Sequence, residues 1–409
     1  MTSLAELVER HGSPLYVYEL DAVRAAHGAL RTALPRGAEL YYSLKANPHP
    51  LLVRELGRLG CGAEVSSASE LQTAINAGIP PARCLYTGPG KTRSEMAWAL
   101  AVGVTRFSVE SCLQLGALDT EAERAGLHVD AILRVNPDRS VPAYALEMAG
   151  TASPFGVDTS WIAERAAEFM ASKSARLRGF HFFVGTNIRD AAALPRIFAH
   201  AIEEADALCR ALGVDPVWID LGGGFAHPFA QAAPRTDYSA LRIALETMLD
   251  AVFPRWRDGR PAIAFESGRY LVGGCGTLVC TVQDVKVSKG RRFVVLDSGI
   301  HHLGGMSGLR RVPPMFPALV AWPEAAAGDA PWEEADVVGS LCTPLDSWAR
   351  GITVPPVSPG DLMLVPNVGA YGLTASLLAF LSRETPLEVI LDHAHAVDVS
   401  QLVLHRRPR

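Results

Sequence analysis

The chain lacks paired cysteines, basic clusters and long apolar runs, and each absence removes a class of protein. Its seven cysteines (Cys61, Cys84, Cys112, Cys209, Cys275, Cys280 and Cys342) are odd in number, widely spread and contain no Cys-x-x-Cys pair. That argues against a disulfide framework and against structural zinc, so no metal is expected, and it fits a reducing cytoplasm. No apolar stretch reaches the length of a membrane span. Residues 1–10 carry acids in an amphipathic pattern and lack the basic start and apolar core of a secretory signal. With a net charge of −5 and scattered basic residues, the chain shows no electrostatic footprint for nucleic acid. The terminal Arg406-Arg407-Pro408-Arg409 reads as a solvated tail.

What is present suits an enzyme with a sizeable core: 409 residues, 49% hydrophobic and 20% charged, more than one average domain holds. After an opening helix and a strand over Pro14 to Tyr18, Asp21 starts a helix that runs to Ala33. Strand-like runs then recur at Leu40 to Lys45, Gly62 to Val65, Cys84 to Gly88, Arg106 to Val109, Asp130 to Val135, Gly179 to Phe183, Val217 to Leu221 and Ala262 to Phe265. Helical stretches separate most of them, among them Pro50 to Gly60 and Ser67 to Gly78, where Ser67 and Glu70 have the spacing of a capping box. Such alternation predicts a parallel sheet, and eight or nine units predict a (βα)8 barrel of the TIM type. Beyond Arg269 the pattern turns to Val, Leu and Thr runs such as Gly276 to Val282 and Arg292 to Asp297, an all-β signature. Pro313 to Glu334 reads as connecting loop with one edge strand at most.

Several strand ends carry chemistry. Lys45 closes the run Tyr41-Tyr42-Ser43-Leu44-Lys45-Ala46-Asn47-Pro48. A lysine there is either a snorkelling surface residue or a partly desolvated nucleophile toward carbonyls. Gly222, Gly223 and Gly224 follow an apolar strand late in the barrel, where they make either a tight turn or a backbone cradle for phosphate. Glu266-Ser267-Gly268-Arg269 offers either an exposed ion pair or an acid for a ring nitrogen with a base for phosphate. Cys342 and Asp346 flank a proline turn; the thiol is either small core or cleft chemistry. Tyr371 lies among glycines, packed or free to offer its hydroxyl. His181 and Thr186 sit near another strand end, where a histidine is either a satisfied core residue or a catalyst.

Taken together and in this order, these motifs resemble those of the fold-type III pyridoxal-phosphate decarboxylases, the group of diaminopimelate, ornithine and arginine decarboxylases. The resemblance spans nearly the whole chain and includes Gly62-Ala63-Glu64-Val65-Ser66-Ser67-Ala68-Ser69-Glu70-Leu71. It implies a pyridoxal 5'-phosphate-binding barrel over 31–270, a β-rich domain over 271–409, and residues 1–30 joining that β domain. It implies that Lys45 forms the internal Schiff base and that Glu266 contacts the pyridinium nitrogen. Gly222, Gly223, Gly224, Gly268, Arg269, Thr186 and Tyr371 would lie about the cofactor and its phosphate, with Glu64, Glu70, His181 and Phe183 near the ring or imine. Cys342 would reach the site from the second subunit of a homodimer and protonate the carbanion, with Asp346 helping to choose the substrate.

Three departures from the family pattern are visible. Phe183 replaces the usual ring-stacking histidine and can stack but not hydrogen-bond, and Ser267 replaces a proline. The loop Cys342-Thr343-Pro344-Leu345-Asp346 lacks the glutamate typical of diaminopimelate enzymes. Its wording is closer to members that act on amino acids carried by a protein or joined to citrate in siderophore assembly. The implied reaction is α-decarboxylation of an amino acid or conjugated amino acid, through a Schiff base and quinonoid, to an amine and CO2. Decarboxylation of diaminopimelate or a basic amino acid is the alternative. An amino-acid racemase is disfavoured by an acid at position 266, and a cofactor-holding protein without activity by the retained Lys45, Glu266, Arg269 and Cys342. A carrier protein is a possible partner.

Overall fold

The computed structural model describes residues 2–138, 153–183, 185–304, 319–322 and 332–406. The chain divides into two units, one of Arg24–Ala226 and Thr236–Leu271, the other of Met1–Val23, His227–Arg235 and Val272–Arg409.

The first unit is a closed parallel barrel. After β1 (Leu15–Glu19), which belongs to the other unit, its strands are β2 (Glu39–Ser43), β3 (Gly62–Val65), β4 (Cys84–Tyr86), β5 (Arg106–Val109), β6 (Val129–Asn136), β8 (Ala175–Phe182), β9 (Trp218–Asp220) and β10 (Ala262–Ser267). They pair in the order β5-β4-β3-β2-β10-β9-β8-β6, and pairing of β5 with β6 closes the ring; a short β7 (Val157–Asp158) adds to β6. Strands such as β3 and β9 are buried along their whole length, as barrel strands covered outside by helices must be.

Helix ends follow local signals. Thr92 and Glu95 form a capping box on the helix Arg93–Val102, which stops at left-handed Gly103. Ser67 caps Ala68–Asn76 by accepting from the Glu70 N–H, but the Glu70 carboxylate accepts from Ser66 rather than Ser67, so only half of the expected box forms.

Inside the barrel Tyr41, Leu85, Ile132 and Trp218 form an apolar cluster with Ala264. The first four come from alternate strands β2, β4, β6 and β9, the layering that fills barrels of this kind. Two glycines make room: a Cβ on Gly62 would lie 2.6 Å from the Tyr41 ring, and one on Gly179 1.7 Å from the Trp218 carbonyl oxygen.

The second unit is a nine-stranded sheet. Its strands are β1 with β11 (Gly276–Ser288), β12 (Arg291–Leu296), β13 (Val320–Trp322), β14 (Glu333–Val338), β15 (Ser347–Val354), β16 (Leu362–Val365), β17 (Leu387–Asp392) and β18 (His395–Gln401). Strand β1 lies inside this sheet, antiparallel to β11 and parallel to β17. Leu7, Leu15, Val17, Val279, Leu364, Val389 and Leu391 pack as its core.

The all-β reading of the C-terminal part and the barrel reading both agree with these sheets. Within Pro313 to Glu334, Val320–Trp322 is a strand and Glu333 begins β14; 313–318 and 323–331 lie outside the described residues, as do Val184 and 407–409.

Candidate active site

The first strand to consider, β2, ends at Ser43 instead of running through Lys45, because Leu44–Ala46 winds into a single 3-10 turn before Asn47 and Pro48. That turn lifts the Lys45 amine to the C-terminal ends of the strands. Its Nζ donates to Glu64 Oε1 at 3.1 Å, from a side chain 43% exposed to one only 2% exposed. The Thr87 hydroxyl donates to the same oxygen at 2.6 Å. Burial alone would raise the Glu64 carboxyl, but Lys45 and the hydroxyls of Ser43 and Thr87 outweigh it and hold the group below its ordinary range. Glu64 is therefore a carboxylate. Nearby Glu70 is pushed up by burial despite the Ser66 N–H it accepts.

Across the barrel, β8, β9 and β10 bring His181, Asp220 and Glu266 together with their polar atoms within 4.8 Å of one another, all three residues buried. His181 Nε2 stands 3.5 Å from Glu266 Oε1, and its Nδ1 is 2.8 Å from the Ser108 hydroxyl. Asp220 Oδ1 accepts from the Gly222 N–H at 2.8 Å. Three atoms in this group, His181 Nε2, Asp220 Oδ2 and Glu266 Oε1, are buried without a hydrogen-bond partner among the described residues. Burial pushes Glu266 well above the carboxylate range, and the charges of Glu64 and Asp220 add to that. Asp220 is raised to about 7, mainly by burial. His181 is held well below its ordinary range by burial and by the cations Arg134, Lys45 and Lys91. The cluster is thus a neutral imidazole beside two carboxyls that cannot both ionise cheaply.

The glycine loop closes the same end. Gly222 and Gly224 have φ of +70° and +98°, which favours glycine. A Cβ on Gly222 would meet the Phe182 carbonyl oxygen at 2.1 Å, and one on Gly223 the Glu266 carbonyl oxygen at 2.7 Å. Gly224 accepts the Ile188 N–H at 2.9 Å, which ties the stretch after Thr186 to this loop. Gly268 lets the Glu266 to Arg269 turn settle onto the lysine turn, since a Cβ there would be 2.6 Å from Ala46 Cβ. Phe183 lies with its ring 5.3 Å from the Arg134 guanidinium carbon, and Arg134 also pairs with Glu110 at 3.3 Å.

The remaining residues singled out from sequence, Cys342, Asp346 and Tyr371, belong to the other unit. Cys342 is exposed. Asp346 is buried and its two oxygens accept the N–H groups of Ile300 and Leu341, each at 2.8 Å. Tyr371 sits in a turn with φ of +57°.

Sequence reasoning missed Asp220, Ser108, Thr87 and Lys91. Lys91 is half-buried, donates to the carbonyls of Gly88 and Ser108, and is pulled down to about 8, chiefly by desolvation. Thr87 follows β4, and Ser108 and Asp220 lie at the C-terminal ends of β5 and β9; a polar residue inside an apolar run, as in Ile219-Asp220-Leu221, shows in sequence without revealing which face it takes.

A phosphorylated pyridine aldehyde suits these groups. The glycine loop is a cradle that any side chain would fill, the buried Glu266 carboxyl keeps an oxygen without a hydrogen-bond partner among the described residues, and Lys45 supplies an amine. The profile described as pyridoxal-dependent decarboxylase, pyridoxal binding domain, matches residues 20–273. The chain is 31% identical over 391 residues to the L-glutamyl-[BtrI acyl-carrier protein] decarboxylase of Niallia circulans, covering 95% of this chain and 90% of that one. It is 32% identical over 381 residues to the diaminopimelate decarboxylase of Aquifex aeolicus, covering 91% and 86%. The crystal structure of Helicobacter pylori diaminopimelate decarboxylase complexed with L-lysine superposes with a TM-score of 0.82 at 25% identity, covering 98% of this chain and 95% of that one. Barrel, site and relatives agree: the chain belongs to the pyridoxal-dependent decarboxylases and is a carboxy-lyase acting on amino acids with pyridoxal phosphate as cofactor.

Proposed function

We propose that this decarboxylase acts on an amino acid whose far end is conjugated, to a carrier protein or to another acid, in siderophore or other specialised biosynthesis. The observation that carries this reading is the loop from Cys342 to Asp346. Its one carboxylate is buried and spent on the N–H groups of Ile300 and Leu341, so this loop offers no acid to a distal ammonium group. The loop instead exposes Cys342 and Leu345. A free diamino acid would leave its far charge uncompensated there, whereas a neutral linkage would not. The carrier-protein decarboxylase among the relatives supports the same reading.

Lys45 would hold the aldehyde of the cofactor, and Glu64 keeps the Lys45 amine oriented by a charge-assisted hydrogen bond. Gly222, Gly223, Gly224, Thr186, Arg269 and Tyr371 would hold the phosphate. Glu266 would face the ring nitrogen, with His181 and Phe183 against the ring. The bound cofactor supplies an electron sink for the carbanion left when CO2 departs. Glu266, kept protonated by burial, can share its proton with the ring nitrogen. Cys342 Sγ, from the second subunit of a homodimer, would deliver the proton to the α-carbon, and Asp346 would serve by fixing the loop that presents it.

Decarboxylation of diaminopimelate is the second reading, favoured by relatives such as the Aquifex enzyme. The two separate by measuring CO2 release from the reconstituted enzyme with an aminoacyl thioester on a carrier protein, a citrate-conjugated amino acid, diaminopimelate and lysine. A kcat/KM for free diaminopimelate equal to or above that for every conjugate refutes the proposal.

A further inference from the structure

The barrel has a second hollow at the end opposite Lys45. A cavity of about 380 Å³ is lined by residues at the N-terminal ends of β2 to β5, among them Glu39, Arg83 and Arg106, and by His27 and Arg31. Three arginines and one glutamate thus line it. That carboxylate is already taken: Glu39 accepts from Arg106 through both oxygens, the second bond at 3.2 Å, and from the Tyr41 hydroxyl at 2.7 Å. Arg106 is also fixed by stacking over the Trp218 ring at 4.8 Å.

Arg31 and Arg83 are different. Each is anchored by one main-chain carbonyl, Arg31 to Ala38 at 2.8 Å and Arg83 to Gly60. Neither forms an ion pair with a carboxylate among the described residues, and a guanidinium carries five N–H donors. Burial and the charge of Arg242 both work against the cationic form of Arg31, so its charge is held there at a cost. His27 Nε2, also on this wall, is buried without a partner among the described residues.

We propose that this hollow is a binding site for a small oxyanion carrying at least two negative charges, held by the forks of Arg31 and Arg83. Each guanidinium spends one terminal nitrogen on a main-chain carbonyl, and the remaining N–H donors of a planar guanidinium suit carboxylate or phosphate oxygens. The apolar cluster of Tyr41, Leu85, Ile132 and Trp218 separates strand starts from strand ends, so this site is not part of the cofactor pocket.

The test is calorimetric titration of the holoenzyme, its cofactor site filled, with inorganic phosphate in one series and citrate in another, against sodium chloride of equal ionic strength. Saturable binding of one anion per chain is expected, with a rise in Tm. Arg83→Gln and Arg31→Gln should each weaken it at least tenfold and leave the cofactor absorbance in place. Because Arg83 is exposed, its variant alone decides the matter if the Arg31 variant folds poorly. Phosphate binding alone identifies the ligand as a phosphate, and citrate binding alone as a polycarboxylate. No saturation by either up to about 10 mM, or affinity unchanged in Arg83→Gln, overturns the proposal.

Discussion

Replacing Glu266 by glutamine tests the electronic core of the site. The residue is 3% exposed, with Oε1 unpartnered among the described residues and burial driving its carboxyl toward the neutral form. Glutamine matches the protonated acid in shape, so the apo-protein should keep its stability to within about 0.5 kcal/mol, the range of changes that disturb no packing. In the holoenzyme the effect is different, because an amide cannot give up a proton to the ring nitrogen. Losing a charge-assisted hydrogen bond of about 1.5–3 kcal/mol should lower kcat by roughly ten- to a hundredfold, at about 1.4 kcal/mol per factor of ten. The assay is CO2 release under saturating substrate, paired with a pH titration of the cofactor absorbance and a thermal melt of the apo-protein. A variant within a factor of two of the parent, with an unchanged titration, would refute the assignment of Glu266 to the ring nitrogen.

Other changes have definite expected outcomes. Lys45→Ala should abolish the visible imine absorbance of the reconstituted protein and lower the Tm of the apo-protein, because the buried Glu64 loses the cation that keeps it a carboxylate. Asp220 is raised to about 7, so in the apo-protein the folded state keeps a proton that the unfolded chain loses. Its contribution is neutral below pH ~4 and stability falls as pH rises from there to about 7, by at most about 1.4 kcal/mol per unit. Asp220→Asn should flatten that slope in urea melts. Gly222→Ala places a Cβ 2.1 Å from the Phe182 carbonyl at a φ of +70°, which should cost about 1–3 kcal/mol and weaken cofactor binding measured by fluorescence. Cys342→Ala, at an exposed position, should leave Tm unchanged and slow turnover by about 10²–10⁴-fold, the scale of a lost general acid.

The parts of the site that announce themselves in sequence are those whose chemistry needs an unusual residue at a strand end. Lys45 before Asn47-Pro48, three glycines after Ile219-Asp220-Leu221, and Glu266 three residues before Arg269 all stand out against apolar runs. Asp220 and Ser108 do not, because a single short polar residue in a strand looks the same whether it faces a helix or the barrel axis. Only ring closure through β5 and β6 and the register of β8 against β9, His181 opposite Asp220, reveal which way they point. The exact end of β2 was equally hidden: Leu44-Lys45-Ala46 has no breaker of its own, and the 3-10 turn becomes visible only where Gly268 packs onto Ala46. The spent carboxylate of Asp346 could not be read either, since nothing local shows that Gly299 and Gly339 approach it so closely that a Cβ on either would lie within about 2.3 Å of its oxygens.

The position of β1 constrains how the molecule can be made. Leu15 lies opposite Val279 on one side and Leu387 on the other, so this strand finds its neighbours only after some 264 and 372 further residues have been made. Joining such distant segments carries a loop-closure cost that local pairing avoids. Until then its edges, and those of β11 and β17, are open to strands of other chains, and shortening the amino terminus past Leu15 would leave a gap in the middle of a sheet rather than at its margin.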